Sequence, residues 1–435
     1  MGKYASIAAA LTVTVLPGLL YGAPRDGVPR DGARVVVDNV ATIIENNYFD
    51  AGKAREIAAS LRAAAQAGAY DNDTDPRDLA SKLTGKLQPV DHHFLVRWVD
   101  ASQATPGGET ELADRRYAYG FRRVEMLPGG IGYLDLSYFA DFDFNKPDEP
   151  ARRTADAALA LLANADAVII DLRNNGGGSP AMVGYLVSAF TPPGADIYNT
   201  FRHRDRNDSE RPKVPYPNPR LDVPLYVLIS GRTASAAESA AYTLQAPKRA
   251  RIIGAPSGGA SNPGGEFPVD GGYTIFVSTS TAINPITGTN WEGAGVRPDV
   301  RTAASEALES AERLALEAIL AQHPDALEAR WILEALKADR APENKAKLTE
   351  YAGDYTGARI AEENGHLELR RGRRPPWVLQ RLRDDVFFVK GEPYRRVIFA
   401  RQSGRITHFQ LVRADGPATW FARAQTRAPR ASGIR

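Results

Sequence analysis

Apolar positions near the start of the chain recur at helical spacing. Val36, Val40, Ile43 and Ile44 share one face at steps of four, three and one. The stretch "AREIAASLRAAAQAG" is alanine-rich and stops at Gly68. "DPRDLASKLTGKL" opens with a capping aspartate followed by a proline in the first turn. Residues 34 to about 90 are therefore expected to form a small helical domain. From about residue 116 the period changes. "GIGYLDLSYF" alternates as a strand, "RRTADAALALLANA" has the helical repeat, and "DAVIIDLRNNGGG" is a buried strand running into glycines. "PAMVGYLVSAF" follows as a helix, and "VPLYVLIS" as another buried strand. "GRTASAAESAAYTLQ" is a turn and helix, and "RARIIGAPSGGA" is a short strand ending in a glycine-rich loop. Strands alternating with helices predict an α/β core. The charged, proline-rich "HRDRNDSERPKVPYPNPR" reads as a surface loop whose arginines form a solvated face. Helical spacing returns over residues 304 to 339. Beyond Pro342, short strands parted by Asn-Gly, Gly-Glu, Ser-Gly and Asp-Gly turns predict a separate small β domain.

At 435 residues the chain is long enough for more than one domain. A net charge of +2 implies no strong pull toward nucleic acid. The absence of cysteine removes disulfides, zinc–cysteine sites and a thiol nucleophile together. At the N-terminus, Lys3 precedes sixteen uncharged residues from Ala5 to Leu20, short of the roughly 20 a membrane span needs. Pro17 and Gly18 then break the helix, and small residues Gly22 and Ala23 follow. This is the layout of a secretory signal, with cleavage expected after Gly22 because Pro24 disfavours Ala23. An uncleaved anchor is the alternative. No later stretch is long and apolar enough to span a membrane. The expected organisation is signal 1–22, helical domain 23–115, α/β core 116–303, helical linker 304–340 and β domain 341–435.

Ser235 sits where a buried strand turns into a helix, among small neighbours. Such a turn exposes a side chain and aims the free N–H groups of the helix at whatever that side chain holds. A developing oxyanion would be stabilised there. Ser235 with Glu238 is also a capping box, and on this stretch alone the cap is the stronger reading. A serine nucleophile needs a base. No lysine occurs from residue 249 through 336, which favours histidine. His92 and His93 adjoin beside Asp91 in "LQPVDHHFLVRW", where the plain alternative is a surface turn before a strand. The glycines of "DLRNNGGGSP" suit close approach to an oxyanion, or an ordinary strand-to-helix turn. Glu292, in "INPITGTNWEGAGVRPDV", could orient a histidine or position water, or be a solvated loop acid.

Taken in order, these pieces resemble the tail-specific or C-terminal processing peptidase family, peptidase family S41. The match is to its tricorn-like and interphotoreceptor-retinoid-binding-protein-like branch. The resemblance runs from about residue 34 to 303 through "VDHHFLV", "GIGYLDL", "DLRNNGGG", "TASAAE", "GAPSGGASNPGG" and "NPITGTNWEGAGVRPDV". Residues 100 to 130 leave no room for the PDZ domain of other branches. The resemblance implies a crotonase-like spiral core and an exported serine peptidase that needs no metal or cofactor and acts on peptide or protein substrates. By position, Ser235 matches the nucleophile, His93 the general base, Glu292 the acidic member, and the N–H groups of Gly178 and Ala236 the oxyanion hole. In the Ser-Lys branch the lysine stands 25 residues beyond the serine; that position here is Ala260, which excludes the Ser-Lys mechanism. Some members have a serine directly before the base, where this chain has His92. The route from Glu292 to His93 is thus open: direct, through His92, or through water. A non-catalytic binding protein on the same fold is the rival expectation.

Overall fold

A computed structural model describes residues 32–99, 114–339 and 348–424. The expected signal and its cleavage point lie outside the described residues. The chain divides into two compact units, Met1–Glu125 with Gly132–Ala311, and Met126–Ile131 with Glu312–Arg435.

The first unit opens with α1 (Gly32–Asn47), α2 (Ala51–Gln66) and α3 (Pro76–Leu87). Asp50 and Asp75 cap α2 and α3 by accepting the N–H of Lys53 and Arg77, satisfying donors that helix starts leave unpaired. The helices do not close their core alone. Val37, Val40, Ile44, Leu61 and Leu83 share it with Phe94, Val96, Ile275 and Val277. Val96, Ile275 and Val277 come from strands, and Phe94 stands just ahead of one: β1 (Leu95–Trp98) pairs antiparallel with a strand some 180 residues later, Leu95 opposite Phe276.

The remaining strands of this unit are β2 (Phe121–Leu127), β3 (Ile131–Leu136), β4 (Ala167–Asp171), β5 (Thr200–Arg202), β6 (Asn207–Ser209), β7 (Leu225–Ile229), β8 (Arg251–Gly254), β9 (Gly264–Val269), β10 (Tyr273–Ser278), β11 (Thr281–Ile283) and β12 (Val300–Arg301). Six form one sheet in the order β12-β8-β7-β4-β3-β2, and β4, β7, β8 and β12 run parallel. Every residue of β4 and β7 is buried, as expected for central strands covered on both faces. Three helices belong to this sheet's connections: α4 (Pro150–Leu161), α5 (Pro180–Ser188) and α6 (Ala236–Gln245). The chain is thus α/β as expected.

The stretch read as a surface loop differs. Residues Asn207–Ser209 form β6 of a small sheet, β11-β5-β6, and Glu210 is only 2 % exposed. Its carboxylate is saturated by the Asn199 N–H and amide, the Thr243 hydroxyl (2.6 Å) and the Ser239 hydroxyl.

The second unit resumes at Glu312 within α7 (Ala307–Gln322) and continues through α8 (Leu327–Asp339) to eight strands in sequential antiparallel order. These are β13 (Gly353–Tyr355), β14 (Ala358–Glu363), β15 (His366–Arg370), β16 (Trp377–Arg383), β17 (Val386–Val389), β18 (Glu392–Gln402), β19 (Arg405–Arg413) and β20 (Thr419–Ala422). The first and last strands meet: Tyr355 bridges Arg423, the Thr356 N–H reaches Ala422 O at 2.8 Å, and the Ala424 N–H reaches Asp354 O at 2.8 Å. The sheet therefore closes on itself as an up-and-down barrel, which removes its edges. Its interior is filled by side chains including Tyr351, Tyr355, Phe387, Phe399 and Phe409.

Candidate active site

The parallel strands β4 and β7 end side by side, and their carboxyl ends are where open α/β sheets place ligands. Three hydrogen bonds tie the turn after β7 to the loop after β4. The Ser230 hydroxyl donates to Arg173 O (2.6 Å), the Thr233 hydroxyl to Leu172 O (2.7 Å), and the Ala234 N–H to Asn175 O (3.1 Å). Asn175, fully buried, also donates to Leu136 O (3.0 Å) and accepts the Gly177 N–H (2.9 Å), so it fixes the glycine loop against both neighbours.

Ser235 occupies the position before α6 with φ 52° and ψ −121°. This is the first central position of a type II′ turn, ordinarily glycine. A non-glycine residue there is held against its preference, at a cost on the order of 1–3 kcal/mol. The side chain lies over the helix start, where Ser235 and Glu238 stand as a capping box. In the reverse half of the box Glu238 accepts the Ser235 backbone N–H at 2.8 Å. Gly177 explains the small neighbours. A Cβ on it would lie 2.9 Å from Ser235 Cβ and 3.2 Å from Ala236 N. Gly178, at φ 134°, leaves no room for a Cβ, which would meet Phe139 O at 2.1 Å. Phe139 accepts the Ser179 N–H (2.7 Å) and donates to Gly177 O (2.9 Å), while the N–H groups of Gly178 and Ala236 find no acceptor among the described residues.

His93 follows α3 just ahead of β1, and its side chain is 8 % exposed. Its backbone N–H closes a turn on Asp91 Oδ1 at 2.9 Å. Its ring Nδ1 stands 3.6 Å from the same oxygen, too far for a hydrogen bond, and has no other partner. Glu292 stands beside them: one ligand atom each from Asp91, His93 and Glu292 lie within 4.8 Å of one another. Burial opposes the charge of Asp91, yet the His93 N–H and neighbouring imidazole outweigh it and hold the carboxyl below its ordinary value. Burial first, and then the Asp91 and Glu292 carboxylates, push the buried Tyr48 phenol up. His92 is exposed and takes no part in the cluster. The same three donors have the composition of a divalent-cation site.

Three consecutive residues join the serine turn to this cluster. The Ala260 N–H donates to Glu238 Oε2 (2.9 Å), the oxygen that also holds the Ser235 N–H. The next residue, Ser261, donates its N–H (2.6 Å) and hydroxyl (3.0 Å) to Glu292. Asn262 then donates its side-chain amide to Asp91 Oδ2 at 3.1 Å. With successive Cα atoms about 3.8 Å apart, one short segment spans both halves of the site. Glu238 itself is fully buried and accepts four donors, adding the Ser257 hydroxyl (2.5 Å) and the Gly259 N–H (2.6 Å). The reading from sequence missed Asp91 as a second acid, and also Asn175, Ser261 and Asn262. The signal for Asp91 was its place two residues before the histidine.

Residues 130–302 match the sequence model described as peptidase family S41, and residues 30–119 match the one described as the N-terminal domain of peptidase S41 in eukaryotic IRBP. A carboxy-terminal-processing protease of Bartonella bacilliformis is 32 % identical over 178 residues, 41 % of this chain and 39 % of that protein. The match thus spans about two fifths of the curated relative's length. Among solved structures, a lipoprotein from Streptococcus agalactiae aligns at 14 % identity and TM-score 0.47, over 70 % of this chain and all of that one. The photosystem II D1 C-terminal processing protease aligns at 15 % identity and TM-score 0.39, over 62 % of this chain and 93 % of that one. No helix among the described residues is long and apolar enough to cross a membrane.

Proposed function

Since the chain belongs to peptidase family S41, we propose that it is an exported serine peptidase that cleaves peptide or protein substrates through an acyl-enzyme on Ser235. The observation that carries this reading is the state of Ser235: a strained, glycine-like backbone at a strand-to-helix turn, with the N–H groups of Gly178 and Ala236 beside it without acceptors among the described residues. Strain of this kind at a strand-to-helix turn is the geometry of an exposed nucleophile.

In the proposed reaction Ser235 Oγ attacks the scissile carbonyl carbon, and its proton passes to His93 Nε2, the ring nitrogen away from Asp91. The carbonyl oxygen becomes an oxyanion held by the Gly178 and Ala236 N–H groups. His93 then gives the proton to the leaving amine as the C–N bond breaks, and water repeats the sequence to release the acyl group. Asp91 and Glu292 flank the imidazole, orient it and stabilise the imidazolium formed at each transfer. The donor trio therefore serves as a base with two acids, and Glu238 and Asn175 act as positioning residues. The parallel strands with their connecting helices support reading the core as the crotonase-like spiral, and residues 1–22 as its export signal. We extend the domain reading accordingly: front helices, peptidase core, helical connection and appended β domain.

A serine-directed fluorophosphonate tests the reading. One adduct is expected, mapped by peptide mass spectrometry to Ser235 and absent from Ser235→Ala. A folded protein that takes no label, or takes it elsewhere, would favour the non-catalytic binding protein.

A further inference from the structure

The barrel lies outside the matched family regions, and one of its ends has a distinctive lining. In a sequential antiparallel barrel the β15–β16, β17–β18 and β19–β20 connections emerge at the same end. There they surround a hollow of about 230 Å³ lined by Arg371, Arg374, Trp377, Arg395, Leu411 and Arg413. Barrel mouths are habitual ligand sites. Trp377 holds two of the cations in place: the Arg371 guanidinium lies 4.2 Å and that of Arg395 5.1 Å from its ring centre.

The charges do not cancel. Arg395 pairs with Glu392, and Arg413 with Asp415 at 2.8 Å. Arg371 and Arg374 form no ion pair among the described residues, although Arg371 is partly buried. Burial, then Arg374 and Arg395, make protonation of Arg371 harder than usual. Two guanidiniums without an ion pair among the described residues thus face one hollow, Arg371 with only the more distant attraction of Glu392.

We propose that this mouth binds a phosphoryl group, gripped by the forked N–H donors of Arg371 and Arg374 with Arg395 and Arg413 beside them. A phosphate monoester carries a charge of about −1.5 to −2 at neutral pH, which matches two unpaired guanidiniums where a single carboxylate would neutralise one. Guanidinium forks fit tetrahedral oxyanions bidentately. Trp377 and Leu411 supply an apolar wall for the group that carries the phosphate.

The test is calorimetric titration of the full chain at low salt with inorganic phosphate, phenyl phosphate and acetate. Vesicles of phosphatidylcholine with and without phosphatidic acid form a second arm. Saturable one-to-one binding of the phosphates is expected, weaker for acetate and weakened by added salt. Arg371→Ala with Arg374→Ala should lower the affinity at least about tenfold, the size of one lost charge-assisted contact. If that pair disturbs folding, Arg374→Glu alone, at an exposed position, should show the same loss. Capture by phosphatidic acid vesicles, lost in the variants, would place the phosphoryl group on a lipid. Binding of the soluble probes alone would place it on a free solute. No saturable binding in either arm, acetate binding as tightly as phosphate, or unchanged binding in a folded variant would overturn the proposal.

Discussion

Replacing Ser235 by alanine and by glycine separates the two uses of a serine before a helix. The backbone stands at φ 52°, ψ −121°, outside the extended region of an ordinary cap. The nucleophile reading gives the hydroxyl little part in holding the fold; alanine keeps the strained dihedral, so its stability should stay within about 0.5 kcal/mol of the parent. Glycine relieves the strain, worth roughly 1–3 kcal/mol. It loses about 0.5–1 kcal/mol through the greater freedom of its unfolded chain. The net expectation is a gain of about 1 kcal/mol, or about 2–4 °C in Tm for a domain of 150–250 residues and toward the lower end for this larger unit. Both variants should lose fluorophosphonate labelling and peptide hydrolysis. The predicted order of stability is glycine above parent and alanine. A capping serine gives another order: alanine about 1 kcal/mol below the parent and glycine only a few tenths below. Denaturant midpoints at constant slope, read on the unfolding transition of the first unit, decide between them. A drop of 1 kcal/mol in Ser235→Ala with Ser235→Gly near the parent would refute the reasoning.

Gly177→Ala should reduce turnover about a hundredfold with the fold intact, because its Cβ would press on Ser235 Cβ at 2.9 Å; hydrolysis near the parent rate would show that the contact relaxes. Asp91 has its folded value held below the unfolded one, so its stabilisation is present above the unfolded value and lost as pH falls through the folded one. Asp91→Asn should accordingly flatten the acid limb of a stability-against-pH curve between about pH 5 and 2, and an unchanged limb would contradict the assignment. Glu238→Gln should cost about 2–4 kcal/mol in chemical denaturation, because three backbone N–H groups and a hydroxyl point at the two carboxyl oxygens and an amide NH₂ would face donors. A near-neutral change would show that Glu238 does not strap the serine turn.

Much of the core is legible because local pattern and burial coincide. "AVIID" and "LYVLI" are fully apolar or end in one capped acid, too short for helices, and bounded by glycine or serine turns; both are fully buried strands. The capping aspartates at 50 and 75 start helices where they stand. What the pattern hides is pairing at long range. β1 finds β10 across most of the first unit, so the front helices complete their core with residues no local rule connects to them. Glu210 hides for the opposite reason. A carboxylate in a run of arginines and prolines looks solvated, and its burial is stable only because Asn199, Ser239 and Thr243 converge from separate elements.

The candidate site follows the same division. Ser235 and the glycines of the loop after β4 are visible because a strand-to-helix turn with small residues has few explanations. Glu292 is picked out by its polar, glycine-flanked loop, but Asp91 is not read as a second acid, because the setting of each is an orphan-donor problem solved elsewhere in the chain. A glycine-rich loop offers N–H groups that no regular element satisfies, and burying it requires acceptors. Ala260 and Ser261 meet that need with Glu238 and Glu292, while the Asn262 side chain donates to Asp91. The carboxylates around His93 are thus the acceptors and partners that allow the loop to be buried. This makes a specific coupling: replacing Asn262 by leucine would leave Asp91 Oδ2 without its amide donor and change the charge environment of His93 without touching it. A pH–rate profile should then shift on its basic-group limb with little change in KM. A change confined to stability would mean that Asn262 serves the loop alone.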